Sequence, residues 1–246
     1  MKTHLAVALV LFLGVSIQTR YAQADFERDL IQTSAGEVGI TFIGHGSLMF
    51  TFAGKTIQVD PYGTLTDYSL LPKADVILLT HHHPDHLDPE VIKTIRNEAT
   101  KIVLTELASA QVPGGTVMKN GDRLSLMGID IQAVPAYNLV HKRDNGQVFH
   151  PRGEGNGYVL TFGESRIYIA GDTENIPEMK NFTGIDYAFL PMNLPYTMTP
   201  EMVAAAALLF KPTVLYPYHT GDTDPSRLVP LLKGGPGIEL RIRSMK

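Results

Sequence analysis

The chain has 246 residues, of which 44% are hydrophobic, and a mean hydropathy near zero, which suits one soluble domain with a sizeable core. It contains no cysteine, which excludes disulfide bonds and thiolate metal ligands. A formal net charge of -4 and the lack of a basic stripe argue against nucleic acid as the main partner.

The first 24 residues differ in composition from the rest. Lys2 precedes an apolar stretch at residues 5–15, and Ala22-Gln23-Ala24 is typical of a cleavage site. This pattern predicts a signal peptide at residues 1–24 and a mature domain at 25–246, because the apolar stretch is too short to span a bilayer stably. We therefore expect an exported protein, periplasmic or extracellular, with no stable membrane anchor after processing. A retained anchor is the alternative.

The apolar pattern of the mature chain predicts strands and helices in alternating groups. Strands are predicted at residues 38–44, 48–53, 56–60, 74–80, 101–105, 130–134, 158–162, 166–170, 186–190, 214–217 and 238–242. Helices are predicted at residues 88–99, 200–210 and 225–233, the first two beginning at Asp88-Pro89 and Thr199-Pro200. Strands in two clusters with helices between them favour two packed sheets covered by helices.

The most informative stretch follows the predicted strand at 74–80. Residues 80–88 read Thr-His-His-His-Pro-Asp-His-Leu-Asp and contain His81-x-His83-x-Asp85-His86. Imidazole and carboxylate groups suit zinc and its neighbours in the first transition row. A solvated histidine-rich loop is the alternative, but such tracts are usually repetitive and polar. The position after a buried strand favours a metal site.

Three more candidate residues lie at predicted strand ends. Asp172 follows Ala170-Gly171, His219 follows Pro217-Tyr218, and Asp60 follows Val59. Taken singly, such an aspartate is more often a turn residue or a cap, and such a histidine is more often structural. Their occurrence together with the histidine cluster, in this order, favours a single metal centre at the ends of the strands.

These motifs resemble the metallo-β-lactamase fold superfamily of metal-dependent hydrolases, and the resemblance covers residues 37–243. Gly44-His45-Gly46-Ser47, Val59-Asp60-Pro61-Tyr62 and Met198-Thr199-Pro200-Glu201 look like the branch that contains ascorbate-6-phosphate lactonase and N-acylphosphatidylethanolamine phospholipase D. The resemblance implies an α/β fold, an αββα four-layer sandwich, with one or two divalent metal ions at its edge. Zinc is expected, and a ligand set without thiolates also permits manganese or iron.

The resemblance also implies a role for each residue. It assigns His81 and His83 to a first metal, Asp85, His86 and His219 to a second, and Asp172 to both, with Asp60 orienting ligands through hydrogen bonds. Asp85 and His45 are the candidate catalytic residues. His45 is alternatively a turn residue beside two glycines.

One ligand departs from the pattern of the superfamily. Where the family usually has a further histidine, this chain has Asn138, and His141 and His150 follow in a polar loop. An amide oxygen is a hard and weak ligand for zinc, so we expect His150 to complete the first site. His141, flanked by Lys142 and Arg143, is expected to be solvated. Contact of His150 with substrate is the alternative.

The implied activity is hydrolysis of an ester, a lactone or a phosphodiester of a small molecule by a metal-bound hydroxide. The chain has neither a cysteine nor a Gly-x-Ser-x-Gly motif, which agrees with a mechanism that needs no nucleophilic side chain. A β-lactamase and an inactive metal-binding protein of the same fold are the alternatives. The presence of Asn138 where the family usually has a histidine is the reason to consider the inactive protein. Residues 138–157 and 190–196 are expected to form the walls of the substrate pocket.

Overall fold

The computed structural model describes residues 26–235 and 237–245. In these residues the chain forms two seven-stranded sheets that pack face to face, with helices on both outer surfaces. The predicted αββα four-layer sandwich is confirmed. The predicted signal peptide lies outside the described residues. Among the residues that are described, no helix has the length and apolar character needed to cross a bilayer.

The first sheet holds its strands in chain order. They are β1 (Arg28–Thr33), β2 (Gly36–Gly44), β3 (Ser47–Phe52), β4 (Lys55–Val59), β5 (Val76–Leu78), β6 (Lys101–Leu104) and β7 (Thr116–Val117). Strands β1 to β4 pair antiparallel, and β4 to β7 pair parallel. The hairpin between β3 and β4 turns at Ala53-Gly54, where both residues have positive φ, as a two-residue type I′ turn requires.

The second sheet repeats this organisation. Its strands are β8 (Arg123–Leu126), β9 (Ile129–Ala136), β10 (Gly155–Phe162), β11 (Ser165–Ile169), β12 (Tyr187–Pro191), β13 (Val214–Tyr218) and β14 (Glu239–Leu240). Strands β8 to β11 are antiparallel, and β11 to β14 are parallel. Because parallel strands end at the same edge, each sheet brings several loops together there.

Helices α1 (Pro89–Ile95) and α2 (Glu106–Ser109) cover the first sheet, and α3 (Pro200–Phe210) and α4 (Leu228–Leu232) cover the second. Short 3-10 segments lie at Tyr68–Leu70, Pro177–Asn181 and Pro225–Arg227. The Asp88 carboxylate accepts hydrogen bonds from the first amides of α1, and the Thr199 hydroxyl caps α3. Both caps satisfy amides that have no partner inside the helix.

The core has one layer between the sheets and one beneath each pair of helices. Strand β11 shows how the sequence divides between them, since Ile167 and Ile169 face the other sheet while Tyr168 faces the helices. The ring of Tyr168 packs edge-on against Phe182 and Phe210, at 5.0 and 5.8 Å between centroids. Alternation of side chains across the strands therefore supplies both layers.

Some predicted boundaries were wrong. Helix α1 ends at Ile95 rather than at residue 99, because the Ile95 carbonyl accepts from the Ala74 amide and Arg96 takes an extended conformation. Strand β5 stops at Leu78, and the Thr80 amide donates to the Asp60 carboxylate at 2.7 Å. Strands β1, β7 and β8 and helix α2 were not predicted, since their short, half-exposed sequences carry little apolar periodicity.

Candidate metal centre

The candidate ligands come from loops at one edge of the sandwich. His45 lies in the turn between β2 and β3, the stretch from His81 to His86 follows β5, and Asp172 follows β11. His219 follows β13 directly, and His150 lies in the long loop between β9 and β10. Both sheets thus contribute to one centre, which explains why its residues are scattered along the chain.

Apart from Asp172, the donor atoms fall into two groups. His81, His83 and His150 form the first half-site, and His45, Asp85, His86 and His219 form the second half-site, with the ligand atoms of each group within 4.8 Å of one another. His81 Nε2 is 3.1 Å from His83 Nδ1, and His86 Nε2 is 3.0 Å from His219 Nε2. The structure therefore brings together every residue that the sequence proposed as a ligand.

Asp172 lies between the two half-sites and turns one oxygen toward each. Its Oδ2 is 3.2 Å from His150 Nε2 and 3.9 Å from His81 Nε2. Its Oδ1 is 3.5 Å from the Nε2 atoms of both His86 and His219, and this buried oxygen has no hydrogen-bond partner. An unpaired buried carboxylate oxygen is costly in a protein interior. The donor set and this orphaned oxygen fit a centre for divalent metal ions, with Asp172 shared between two positions.

Asp60 orients the second half-site from beneath. Its buried carboxylate accepts hydrogen bonds from the Thr80 amide at 2.7 Å and the Thr80 hydroxyl at 2.5 Å. The same carboxylate lies 2.8 Å from His86 Nδ1. Because Nδ1 of His86 donates to Asp60, the Nε2 atom faces the centre, as a ligand requires.

Asn138 orients His150 in the first half-site, as Asp60 orients His86 in the second. Its Oδ1 accepts hydrogen bonds from His150 Nδ1 at 2.6 Å and from the His150 amide at 3.1 Å. Its Nδ2 donates to Glu174 Oε1 at 3.0 Å and to the Tyr196 carbonyl at 2.8 Å. The side chain of Asn138 is fully engaged and is not itself placed as a ligand. It directs Nε2 of His150 toward the centre.

Glu174 anchors the loop that carries His150. This fully buried carboxylate accepts hydrogen bonds from the amides of Leu139, Val140 and His141, each at 2.7 Å. Burial raises the pKa of Glu174, but these bonds outweigh it and hold the pKa below its ordinary value. Glu174 was not predicted from the sequence, although its position two residues after Asp172 is a signal that it lies near the centre.

The expected solvation of His141 was wrong. Its Nδ1 lies 2.8 Å from Glu174 Oε1, and its side chain is only 20% exposed. The loop folds inward at this point because three consecutive amides converge on the Glu174 carboxylate. His141 therefore belongs to the support of the loop and not to the ligand groups within the described residues.

Three residues of the centre have a left-handed backbone. His45, Asp60 and His219 have φ of 50°, 45° and 46°, which costs of the order of 1–3 kcal/mol for each such residue. Backbone hydrogen bonds hold His45 and His219 in this conformation. The His219 amide donates to the His45 carbonyl at 2.8 Å, and the His45 amide donates to the Met245 carbonyl at 3.0 Å. Strain of this kind, concentrated at one edge, is typical of a functional site.

His81 and His83 of the first half-site differ in pKa from His86 of the second. Burial, together with the neighbouring imidazole of His150, lowers the pKa of His83 to about 4, and burial holds the pKa of His81 well below its ordinary value. Burial opposes the charged form of His86 as well, but the carboxylates of Asp172 and Asp60 raise its pKa to about 9. His81 and His83 are therefore neutral ligands at pH 7, whereas His86 releases a proton when it binds a metal ion.

Asp85 and His45 form a pair at the surface of the centre. His45 Nε2 is 3.0 Å from Asp85 Oδ2, and the His45 ring packs on His219 at 3.7 Å between centroids. Burial raises the pKa of Asp85, but the nearby imidazole of His219 and the hydrogen-bonded imidazole of His45 hold it well below its ordinary value. Asp85 is thus an anion that holds His45 and faces the other donors of the second half-site.

A cavity of about 400 Å³ opens above the centre. Its floor is made of donor residues of both half-sites and Asp172. Its walls are formed by Pro84, Arg143, Phe149, Asn193 and Tyr196. The expected walls at residues 138–157 and 190–196 therefore do face the centre. No serine, threonine or cysteine is among the described residues that line this cavity.

The chain matches the family model for the beta-lactamase superfamily domain over residues 39–219. It is 32% identical to a UPF0173 metal-dependent hydrolase from Geobacillus thermodenitrificans over 218 residues, which are 82% of this chain and 96% of that protein. A UPF0173 metal-dependent hydrolase from Methanopyrus kandleri is 30% identical over 202 residues, with 76% and 85% covered.

Solved structures show the same similarity. A protein from Parabacteroides distasonis, designated as a metal-dependent hydrolase, superimposes with a TM-score of 0.86 at 50% identity. The match covers 90% of this chain and 100% of that protein. Igni18, a metallo hydrolase from Ignicoccus hospitalis, superimposes with a TM-score of 0.70 at 24% identity, with 85% and 95% covered, and supports the fold alone.

Proposed function

Because this chain belongs to the family of the beta-lactamase superfamily domain and is a metal-dependent hydrolase, we propose that it cleaves an ester, a lactone or a phosphodiester of a small molecule after export from the cytoplasm. The observation that carries the proposal is the position of Asp172, whose two oxygens face two groups of donors on the floor of an open cavity. This arrangement suits two ions that share one carboxylate.

We propose that His81, His83 and His150 hold one ion, that Asp85, His86 and His219 hold a second, and that Asp172 contacts both. Zinc fits the donors best, and manganese or iron also fits them. Divalent ions bound here would supply a Lewis acid and a water molecule with a pKa lowered to about 7.

The side chains supply the rest of the chemistry. Asp172 and Asp85 balance positive charge on the floor of the cavity, and Asp60 and Asn138 fix the ring orientations of His86 and His150. His45 Nε2 and Asp85 Oδ2 lie 3.0 Å apart on the floor of the cavity, where the pair would supply a proton to a leaving group. The lack of a serine, threonine or cysteine among the described lining residues supports direct attack by water.

A substrate panel tests this proposal. Freshly purified protein is analysed for its metal content and then assayed with a neutral ester, a lactone, a phosphodiester and a β-lactam, with Asp172→Ala as the inactive control. We expect turnover of at least one of the first three classes, which disappears in the variant. Turnover of the β-lactam alone would favour a β-lactamase. A full metal load without turnover of any class would favour a metal-binding protein.

Export is tested separately. The composition of residues 1–24 supports cleavage after Ala24, which would remove Lys2 and Arg20 and change the formal charge from -4 to -6. We expect the intact mass of protein from the native host to correspond to a chain that begins at Asp25. A full-length product in the cytoplasm would contradict this expectation.

A further inference from the structure

One wall residue of the cavity has no part in the reaction described above. Apart from the half-sites and Asp172, Arg143 is the only charged residue among the described residues that line the cavity. The other wall residues are apolar or neutral. A single cation on the wall of a reaction cavity suits a substrate with a negative charge away from the bond that is cleaved.

The guanidinium of Arg143 has no carboxylate partner. No acid of the described residues lies within the 4.0 Å that would make an ion pair with it, whereas Arg152, on the same loop, pairs with Glu178 at 2.6 Å. Arg143 makes only a long hydrogen bond, of 3.4 Å, from Nη2 to the Phe149 carbonyl. Its charge is therefore free to bind an anion.

The structure nevertheless holds Arg143 in place. Its guanidinium carbon lies 5.0 Å from the centroid of the Phe149 ring, and Tyr196 packs edge-on against that ring at 5.0 Å. The Arg143 amide donates to the Gln147 carbonyl at 2.7 Å, and the Gly146 amide donates back to Arg143 at 2.9 Å. This turn projects from the segment that Glu174 anchors. A guanidinium held over an aromatic face keeps its hydrogen-bonding edge available.

We propose that Arg143 determines specificity by binding a non-reacting anionic group, a carboxylate or a phosphate monoester, of the substrate. The inference rests on the proposed function and names its substrate class, which is an ester, lactone or phosphodiester that carries a negative charge away from the bond that is cleaved. The planar guanidinium binds either anion through two parallel N–H donors. A cavity of about 400 Å³ has room for a small anionic molecule of this kind.

Two matched esters test the proposal. Mono-(4-nitrophenyl) adipate has a free carboxylate, and methyl 4-nitrophenyl adipate has the same length without the charge. We expect Arg143→Gln to lower kcat/KM for the charged ester by about 10- to 100-fold, mainly through KM, and to change that of the neutral ester less than about twofold. Lys142→Gln is the matched control, since it removes the same charge from an adjacent residue that does not line the cavity.

Binding provides a second readout that needs no turnover. Adipate and phenyl phosphate are titrated calorimetrically into zinc-loaded wild type, Arg143→Gln and Lys142→Gln, after elemental analysis has shown equal zinc contents. We expect weaker binding of the anions by Arg143→Gln alone, and the larger loss identifies carboxylate or phosphate as the preferred group. If neither ester is hydrolysed, the proposed activity on esters fails while this titration still tests Arg143.

Other results would overturn the proposal. An equal loss of kcat/KM for both esters would mean that Arg143 acts through the fold or the metal content. An unchanged preference for the charged ester, together with unchanged binding of both anions in Arg143→Gln, would exclude Arg143 as the anion site. A loss of the same size in Lys142→Gln would mean that the net charge of the loop, and not the position of Arg143, is responsible.

Discussion

In the second half-site, His86 is held from beneath by the buried Asp60, and His219 lies directly after a strand. In the first half-site, His150 comes from the loop between β9 and β10 and is held through Asn138. Equivalent imidazoles are thus fixed by a strand end in one case and by an anchored loop in the other. Loops open locally more easily than sheet edges do, so the first half-site should depend more on its supporting side chains.

The largest loss of activity and metal binding is expected at Asp172, the residue that both half-sites share. Asp172→Ala should abolish activity and reduce metal binding at both positions, because each Asp172 oxygen faces one of them. His83→Ala should also abolish activity but should spare binding at the second half-site. Elemental analysis with steady-state assays checks both. Full metal occupancy and full rate in either variant would refute the ligand assignment.

His150→Ala separates ligation from contact with substrate. We expect the zinc affinity of the first half-site to fall at least ~10-fold, because one imidazole ligand is lost. His141→Ala is the matched control from the same loop and should change the affinity little, since its Nδ1 faces Glu174. Calorimetric titration with zinc measures both. Unchanged zinc binding together with lost activity in His150→Ala would move His150 to the substrate pocket.

One substitution beside each half-site tests whether the two half-sites are supported separately. Asn138→Ala should weaken zinc binding ~10-fold at the first half-site only, because His150 loses the acceptor for its Nδ1. Gly46→Ala should weaken the second half-site only, because the added Cβ would lie 2.7 Å from Cε1 of His86. Zinc titrations of the two variants should therefore show opposite patterns. The same pattern in both would mean that the half-sites are not separately supported.

The smallest effect is expected from metal removal on the fold itself. The core between the sheets consists mainly of apolar strand residues, none of which is a donor of the centre, so chelation should leave the sandwich folded. Ions that bind only the native state at about 100 times their Kd contribute about 2.7 kcal/mol, so chelation should lower Tm without a loss of β-structure. Circular dichroism during a thermal scan with and without chelator checks this. Unfolding at room temperature would contradict it.

The ligands that lie close to buried strands could be predicted from the sequence. The spacing His81-x-His83-x-Asp85-His86 is local, so the ligands near β5 could be identified from the chain alone. Asp172 and His219 were recognisable because each follows a buried apolar strand. The order of strands in both sheets, by contrast, depends on contacts between distant segments and was not predicted.

The conformation of the loop between β9 and β10 could not be predicted from the sequence. Its fold depends on Glu174, which lies 36 residues after Asn138 and accepts three successive amides of that loop. No local pattern encodes that convergence, and this is why the partial burial of His141 was not predicted. The candidate role of His150 was reached from chemistry, since an imidazole suits zinc better than the amide of Asn138 does.

Anomalous diffraction from crystals of the zinc-loaded protein tests the central claim most directly. Two zinc peaks are expected on either side of Asp172, about 3.5–4 Å apart. One should be bound by His81, His83 and His150, and the other by Asp85, His86 and His219. A single peak, or a first zinc ion that His150 does not touch, would contradict the account of two half-sites.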